Sequence, residues 1–390
     1  MQVLFTPRFA LEAIAPPRTG VPAHAEAAYR HARGRYIQHL GQATGGTFDR
    51  SADTENWHEN IAWMLAAFDC GLNVHVIERV THLTGQVAPL YSQGLDLDPA
   101  RPTLLFGAVP HISDLLGTDP GGAGPDNDGP SNDGSGINVV WPRPATMRAA
   151  NAYARYNAFA SRAGRRVALC DLAGAGQAGD LVQAGDPGEL SGTLAAWAAK
   201  GPVDALVKIV CRTKYAAPAP VRLPRGAGLD QAQRAVMDAL GYALAHLEGE
   251  RGAVLLQDRV EMQDEYRVFV VDGVPVTGAG CIEAFTPCDR LPGTIFDPRV
   301  EGVRGSGQVR EDHTRIAGYR AFAAEAAAAL AAEAPDLRDF TLDLATGPDG
   351  QPLIVELNPT VTSGLYASRI DRLVQAIRDS IPVERPAVPA

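Results

Sequence analysis

One stretch of sequence restricts the fold more than any other: FTLDLATGPDGQPLIVELNPT, residues 340–360. Two short apolar runs flank the turn residues Gly347, Pro348, Asp349 and Gly350, which reads as a β-hairpin. Side chains alternate faces along a strand. Phe340, Leu342 and Leu344 therefore share one face, Leu353, Val355 and Leu357 share one face of the second strand, and Asp343, Glu356 and Asn358 lie on the polar side. A hairpin symmetric about Asp349 and Gly350 puts Asp343 directly across from Glu356. Facing carboxylates repel unless something positive sits between them. Oxygen ligands on a rigid hairpin suit Mg²⁺; the same alternation also fits a solvated polar edge.

Two further segments carry charge where apolar residues would be expected. In LLQDRVEMQDEYRVFVVDGVPVTGAG, residues 255–280, Glu265 and Arg267 share a strand face, and Asp272-Gly273 joins two strands as a tight hairpin. A guanidinium there can grip phosphate oxygens bidentately, or form an exposed ion pair of small worth. In ALVKIVCRTKY, residues 205–215, Lys208 lies inside an apolar strand. A lysine so placed needs an anionic partner or an edge from which to reach water.

Around these segments, apolar periodicity predicts strands at residues 3–5, 72–77 and 103–109 with a helix over 57–70, a small α/β domain spanning residues 1–115. Residues 117–136, GTDPGGAGPDNDGPSNDGSG, hold too few apolar side chains to offset ordering entropy, so residues 116–136 read as a flexible linker. A strand is expected at 137–141, one helix over 145–163, strands at 166–170 and 205–210, a helix over 192–200, a loop over 216–228 and a helix over 231–247. Strands at 253–257, 266–271 and 274–279, a helix over 313–332, the hairpin, and a last helix near 366–380 complete an α+β half.

The net charge of −10 argues against a general nucleic-acid binder, which needs a basic surface. Five cysteines without a CxxC pair suggest neither a disulfide framework nor a zinc site. No run is apolar enough to span a membrane and no leader pattern opens the chain, so a cytoplasmic location is expected. Neither a G-x-S-x-G elbow nor a phosphate-loop motif with G-K-[ST] occurs.

An acidic residue on one strand, followed by Glu-x-Asn-Pro on the next, resembles the metal-binding end of the ATP-grasp ligases. The similarity covers about 240 residues, from Ile137 to near Pro382, and implies a two-subdomain ATP-grasp fold behind the N-terminal domain, with subdomains at 137–255 and 256–390. It implies ATP and Mg²⁺ as cofactors, with Asp343, Glu356 and Asn358 as metal ligands. Residues Gln257 to Glu261, including Val260, would be the adenine hinge, and Glu265 the ribose ligand. Lys208, Lys214 and Arg267 would grip phosphates, Lys208 and Arg267 also serving catalysis, and Thr362-Ser363-Gly364 would form a substrate loop. The chain departs from the family in two places. The stretch TKYAAPAPVRLPRGAG is rich in Pro and Ala where the family's phosphate loop is rich in Gly. Asn157, with Arg155 and Arg162 nearby, stands where the family commonly has a lysine.

The activity implied is an ADP-forming ligation of a carboxylate to an amine through an acylphosphate, with small-molecule, amino-acid or peptide substrates. No nucleic-acid or membrane partner is expected, and a homodimer is compatible with the sequence. The alternatives are a nucleotide-binding protein without ligase activity and a phosphotransferase on the same scaffold.

Overall fold

The computed structural model describes residues 1–6, 27, 31, 54–77, 89–92, 96–107, 137–171, 188–210, 218–244 and 253–381. The linker expected at 116–136 and Lys214 lie outside them. Three main sheets organise the rest. The first is built on β1 (Gln2–Thr6), which pairs in parallel with β2 (Asn73–Val76) and β4 (Thr103–Gly107). β3 (Tyr91–Ser92) and β5 (Val139–Trp141) complete the order β3-β2-β1-β4-β5. β5 belongs by its hydrogen bonds to this first sheet, although its sequence position placed it with the second half. Helix α1 (Thr54–Asp69) ends at Gly71, whose φ of 68° gives the left-handed turn that releases the chain into β2.

One continuous helix was expected over 145–163. The structure has instead α2 (Pro144–Asn151), a 3₁₀ turn (Tyr153–Arg155) and the short α3 (Asn157–Ala160). Tertiary contacts override the helical propensity: Tyr153 and Phe159 are both buried edge-to-face at 4.9 Å. The backbone is extended at Tyr156, and the freed N–H groups of Asn157 and Ala158 donate to the Glu333 carboxylate at 2.8 and 2.9 Å.

The second sheet is antiparallel, in the order β6-β9-β7-β8: β6 (Val167–Asp171), β9 (Ala253–Asp258), β7 (Val203–Val210) and β8 (Ala219–Leu223). β8 replaces part of the expected loop. It is an edge strand, the one place in a sheet where Pro220 costs no ladder bond. Helices α4 (Gly188–Lys200) and α5 (Leu229–Leu244) cover one face, burying Leu194, Ala198, Val236 and Leu240 on Val203, Val207, Val254 and Leu256. Lys208, Leu255 and Gln257 lie on alternate positions of β7 and β9, off that helix-covered face.

The chain leaves β9 at Asp258 and enters the third sheet at Gln263. That sheet has the order β11-β10-β14-β15, with β10 (Gln263–Val271), β11 (Val274–Gly280), β14 (Phe340–Thr346) and β15 (Pro352–Pro359). Asp272 and Gly273 both have positive φ, 52° and 75°, which makes a turn matched to the twist of a two-residue hairpin. Helix α6 (His313–Glu333) packs Ile316, Tyr319, Ala323, Ala327 and Leu330 on Tyr266, Val268, Val270, Leu342 and Leu344. Its N-terminus is capped by Asp312, which accepts from Arg315 N at 2.9 Å.

The opposite face of the third sheet joins the N-terminal sheet. Helix α7 (Ile370–Ser380) buries Ile370, Leu373, Val374 and Ile377, a one-sided i, i+3, i+4, i+7 stripe, in a core shared with Val74, Phe106, Trp141, Phe269 and Val271. Trp141 Nε1 donates to Asp339 at 3.1 Å, and Leu365 N donates to Glu59 at 2.6 Å. A small hairpin of β12 (Arg299–Glu301) and β13 (Val309–Glu311) crosses beside β11. No helix among the described residues is long and apolar enough to cross a membrane.

Candidate functional site: a charged row between two sheets

The hairpin register places Asp343 directly opposite Glu356, the pairing expected, but a bulge and not the turn symmetry sets it, since nearer the turn Thr346 faces Pro352. The same register extends across the sheet: Asp343 is opposite Arg267 on β10, and Arg267 is opposite Ala279 on β11. Glu356, Asp343 and Arg267 thus form one row on the face turned from α6. The next partners, Leu357, Leu342 and Val268, point into the α6 core.

A bulge between Asp343 and Leu344 shifts the pairing, so that Leu344 faces Ile354. This corrects the alternation expected for β15: Ile354 and Leu357 enter the core, and Val355 is only half-buried. The bulge also turns out two carbonyls. Arg165 donates to Ile354 O at 3.0 Å and Val355 O at 2.9 Å, while its Nε and Nη2 reach Gln257 Oε1 at 3.1 and 2.8 Å. One guanidinium therefore clamps the last turn of β9 to β15, joining the second and third sheets. Burial lowers its pKa from the usual arginine value, opposed by Tyr153, Asp258 and Glu356. Asn157, which stands where the family commonly has a lysine, hydrogen-bonds Glu333, and Arg165 is the nearby cation that the structure brings to the site. A basic side chain opening a strand next to Gly164 was the available signal.

Each of the facing carboxylates is paired with its own positive charge from within the protein. Arg267 holds Asp343 bidentately, Nε to Oδ1 at 2.7 Å and Nη2 to Oδ2 at 2.6 Å. Its Nη1 donates to Gly364 O at 3.0 Å, and its guanidinium lies 5.2 Å from the Tyr366 ring centre. Lys208 reaches across from β7 and pairs with Glu356, whose other oxygen accepts from Asn358 Nδ2 at 2.9 Å. Burial works against the Lys208 ammonium, but Tyr153 and Glu356 outweigh it and raise its pKa above the usual lysine value.

Glu265 is drawn into the same field. Burial raises its pKa above the usual carboxylate range; Asp343 and Glu356 raise it further, against Arg304 and Arg267. Glu356, Asn358 and Asp343 form an oxygen set of the kind Mg²⁺ accepts. That ion is bound by one or two carboxylates together with waters and phosphate oxygens, not by an all-protein cage. Carboxylate oxygens that accept one N–H retain a second lone pair, so the existing ion pairs do not preclude coordination.

The expected hinge residues lie where the chain passes between the sheets. Gln257 is buried on β9, Val260 is half-buried and Glu261 exposed. Arg259 N donates to Asp204 O at 2.9 Å. Val260 and Glu261 make no backbone–backbone hydrogen bond among the described residues, which leaves a polar backbone edge beside the Leu255–Gln257 face. The structure thus brings Lys208, Gln257, Arg267, Asp343, Glu356 and Asn358 together where the second and third sheets meet, with Glu265 at the side. Arg304, Tyr366 and the buried Cys281 also converge there, and the sequence reading did not single them out.

Residues 221–377 match the model of an ATP-grasp domain, family 3 of one clade within that superfamily. No curated protein matches the chain. Among solved structures, D-cycloserine synthetase DcsG aligns at 15% identity over 97% of this chain and 99% of that one, with a TM-score of 0.45. D-alanyl-alanine synthetase A from Vibrio cholerae aligns at 11% identity over 97% of each chain, with a TM-score of 0.42. D-alanine–D-alanine ligase from Bacillus anthracis, complexed with ATP, aligns at 10% identity over 84% of this chain and 95% of that one, also at 0.42. Similarity this distant carries no functional weight, and it is the family match that spans most of the charged row. The family match places an ATP-grasp domain within this chain, running from β8 into α7.

Proposed function

We infer that this protein is an ATP-dependent, ADP-forming carbon–nitrogen ligase that activates a carboxylate as its acylphosphate. The observation that carries the reading is the row Lys208–Glu356–Asp343–Arg267, two cations and two carboxylates where two antiparallel sheets meet. It lies in the matched domain except for Lys208, which the neighbouring strand contributes.

Adenine stacks against the Leu255–Gln257 face and hydrogen-bonds the backbone edge of Val260 and Glu261. Glu265, near the start of β10 beyond the hinge, receives the ribose hydroxyls. Lys208 meets the phosphates from the second sheet, joined in this reading by Lys214, while Arg165 holds β9 to β15 beside them. Arg267 meets them from the third. Glu356, Asn358 and Asp343 would hold Mg²⁺, which supplies neutralisation of charge on the phosphates when bound. A substrate carboxylate oxygen then bonds to the γ-phosphorus as the bond to ADP breaks. Arg267 and Lys208 stabilise charge on the transferring group. An amine adds to the acyl carbon, phosphate departs, and the amine proton is lost to solvent. No side-chain nucleophile is required.

The domain arrangement supported by this reading is an N-terminal α/β unit ending after β5, a subdomain on the second sheet, and a catalytic subdomain on the third. The test is ADP release in the presence of Mg²⁺ and a panel of amino acids and short peptides. Release that needs both a carboxylate and an amine supports ligation; release that needs only the carboxylate indicates a phosphotransferase. No nucleotide binding at millimolar ATP, with or without Mg²⁺, overturns the reading.

A further inference from the structure

The row ends at β11, and beyond it stands a second cationic group of different character. Arg304 sits in the loop between β12 and β13. Its side chain is 46% exposed. It touches Glu265 at 3.5 Å, Glu283 at 3.3 Å and the Tyr366 hydroxyl at 3.4 Å. All three contacts are long for a charged donor, whose bonds ordinarily measure about 2.7–2.9 Å. Arg267, one aromatic ring away, is buried and held to Asp343 by two short bonds of 2.6 and 2.7 Å. At this end of the face, Arg304 is the guanidinium that an incoming anion can reach without breaking a tight pair.

The loop that carries it is built, not loose. Glu301 is buried, and its carboxylate accepts from the backbone N–H of Gly305 at 2.9 Å, from that of Gly307 and from Ser306 Oγ at 3.5 Å. Gly305 and Gly307 both lie in the left-handed region, φ 77° and 72°, so this fold of the loop requires glycine. The hairpin is pressed close to β11. A Cβ on Gly280 would meet Arg299 O at 2.5 Å, and one on Gly278 would meet Arg267 O at 2.6 Å. Arg304 is thereby fixed over the β11 end of the row, three strands along the sheet from β15.

Resting on the ligase reading above, we propose that Arg304 and Glu283 form the docking site for a free amino acid, held as its zwitterion. The amino-acid carboxylate takes the Arg304 fork in place of the long contacts to Glu265 and Glu283. The displaced Glu283 carboxylate, 68% exposed on its side chain, takes the ammonium group. The Tyr366 hydroxyl hydrogen-bonds the bound carboxylate. The exchange conserves charge: two long internal ion contacts are replaced by two intermolecular ones. Glu301 is a positioning residue, since it holds the loop and does not touch the ligand.

The experiment uses the full chain with a non-hydrolysable ATP analogue and Mg²⁺. Thermal shift and calorimetry are run against the free L-amino acids, D-alanine, and the α-amides and des-amino analogues of any that bind. At least one free amino acid is expected to bind. Its α-amide should bind about tenfold or more weakly, as should the amino acid to Arg304→Ala, because a bidentate charge-assisted contact is lost. Arg304→Lys should recover only part, lacking the fork. Glu283→Gln should weaken the amino acid but not its des-amino analogue. Glu283→Gln should keep wild-type affinity for the nucleotide analogue, and the Arg304 variants are compared at saturating analogue. If the nucleotide binds and no free amino acid does at tens of millimolar, the docking site is overturned while the nucleotide site stands. Equal binding of acid and α-amide, or unchanged binding in Arg304→Ala, overturns it equally. Failure of the nucleotide itself to bind is a separate result, and it removes the ligase reading.

Discussion

Asp343→Asn isolates what the centre of the row contributes to stability. The substitution is nearly isosteric and removes one charge. Arg267 and Asp343 are 6% and 1% exposed on their side chains and share two bonds of 2.6–2.7 Å. Asparagine can accept one guanidinium N–H, but its amide hydrogens then face another donor. Arg267 cannot lose its proton. It is left buried with the Gly364 carbonyl and the Tyr366 ring as its remaining partners. Breaking a buried pair in this way costs about 3–5 kcal/mol. At about 2–4 °C per kcal/mol for a domain of 150–250 residues, Tm should fall by about 10 °C. The assay is thermal and urea unfolding of the nucleotide-free protein, followed by circular dichroism, with an unchanged urea m-value expected. A control separates uncompensated charge from lost packing. Replacing both partners by apolar residues, Arg267→Met with Asp343→Leu, should recover most of the loss, because such replacement is often neutral or stabilising. If Asp343→Asn lies within about 1 kcal/mol of wild type, or the double variant is no better than the single, the pair is not a desolvated ion pair and the argument fails.

Other outcomes follow from the same geometry. Glu356→Gln should abolish Mg²⁺-dependent ADP release while the far-ultraviolet spectrum stays native; near-wild-type turnover at limiting Mg²⁺ would reduce the hairpin to a polar edge. Lys208→Ala should weaken ATP binding as well as turnover, read by calorimetry, since a phosphate contact exists before the transition state; unchanged affinity removes Lys208 from the nucleotide site. Glu265→Gln should gain stability over wild type as pH rises. A carboxyl whose folded pKa is raised adds no cost below its unfolded pKa of about 4.3 and an increasing cost up to its folded pKa. A Tm difference between the two proteins that stays constant from pH 4 to 8 contradicts this.

Much of the catalytic half is legible because it is local. The Asp272-Gly273 turn and Glu265 sharing a face with Arg267 depend on strand period and turn chemistry within a few residues. These the chain encodes without help. Lys208 shows where local reasoning stops. Its apolar strand shows that an anion is needed, but not that the anion is Glu356, 148 positions along the chain. Arg165, Arg304 and Tyr366 lie outside any motif, and only the packing of one sheet against another assembles them.

Three corrections mark the same limit. Pro220 and its neighbours read as a loop because proline cannot donate to a ladder, yet an edge strand leaves that donor position unused. The expected helix over 145–163 breaks because burying Tyr153 and Phe159 together outweighs continuing one turn. β15 alternates as expected only as far as its bulge, where pairing with β14 and the reach of Arg165 decide which side chain enters the core. Alternation, turns and charge spacing are properties of neighbouring residues, so the sequence alone determined the hairpins, the two-part α/β and α+β plan and the carboxylates of the row. Which cation answers which carboxylate, which strand lies at an edge, and which arginine remains open to a ligand depend on contacts between distant segments. Only the tertiary structure decided them, because burial sets the strength of a charge pair and burial is a property of the assembled sheets.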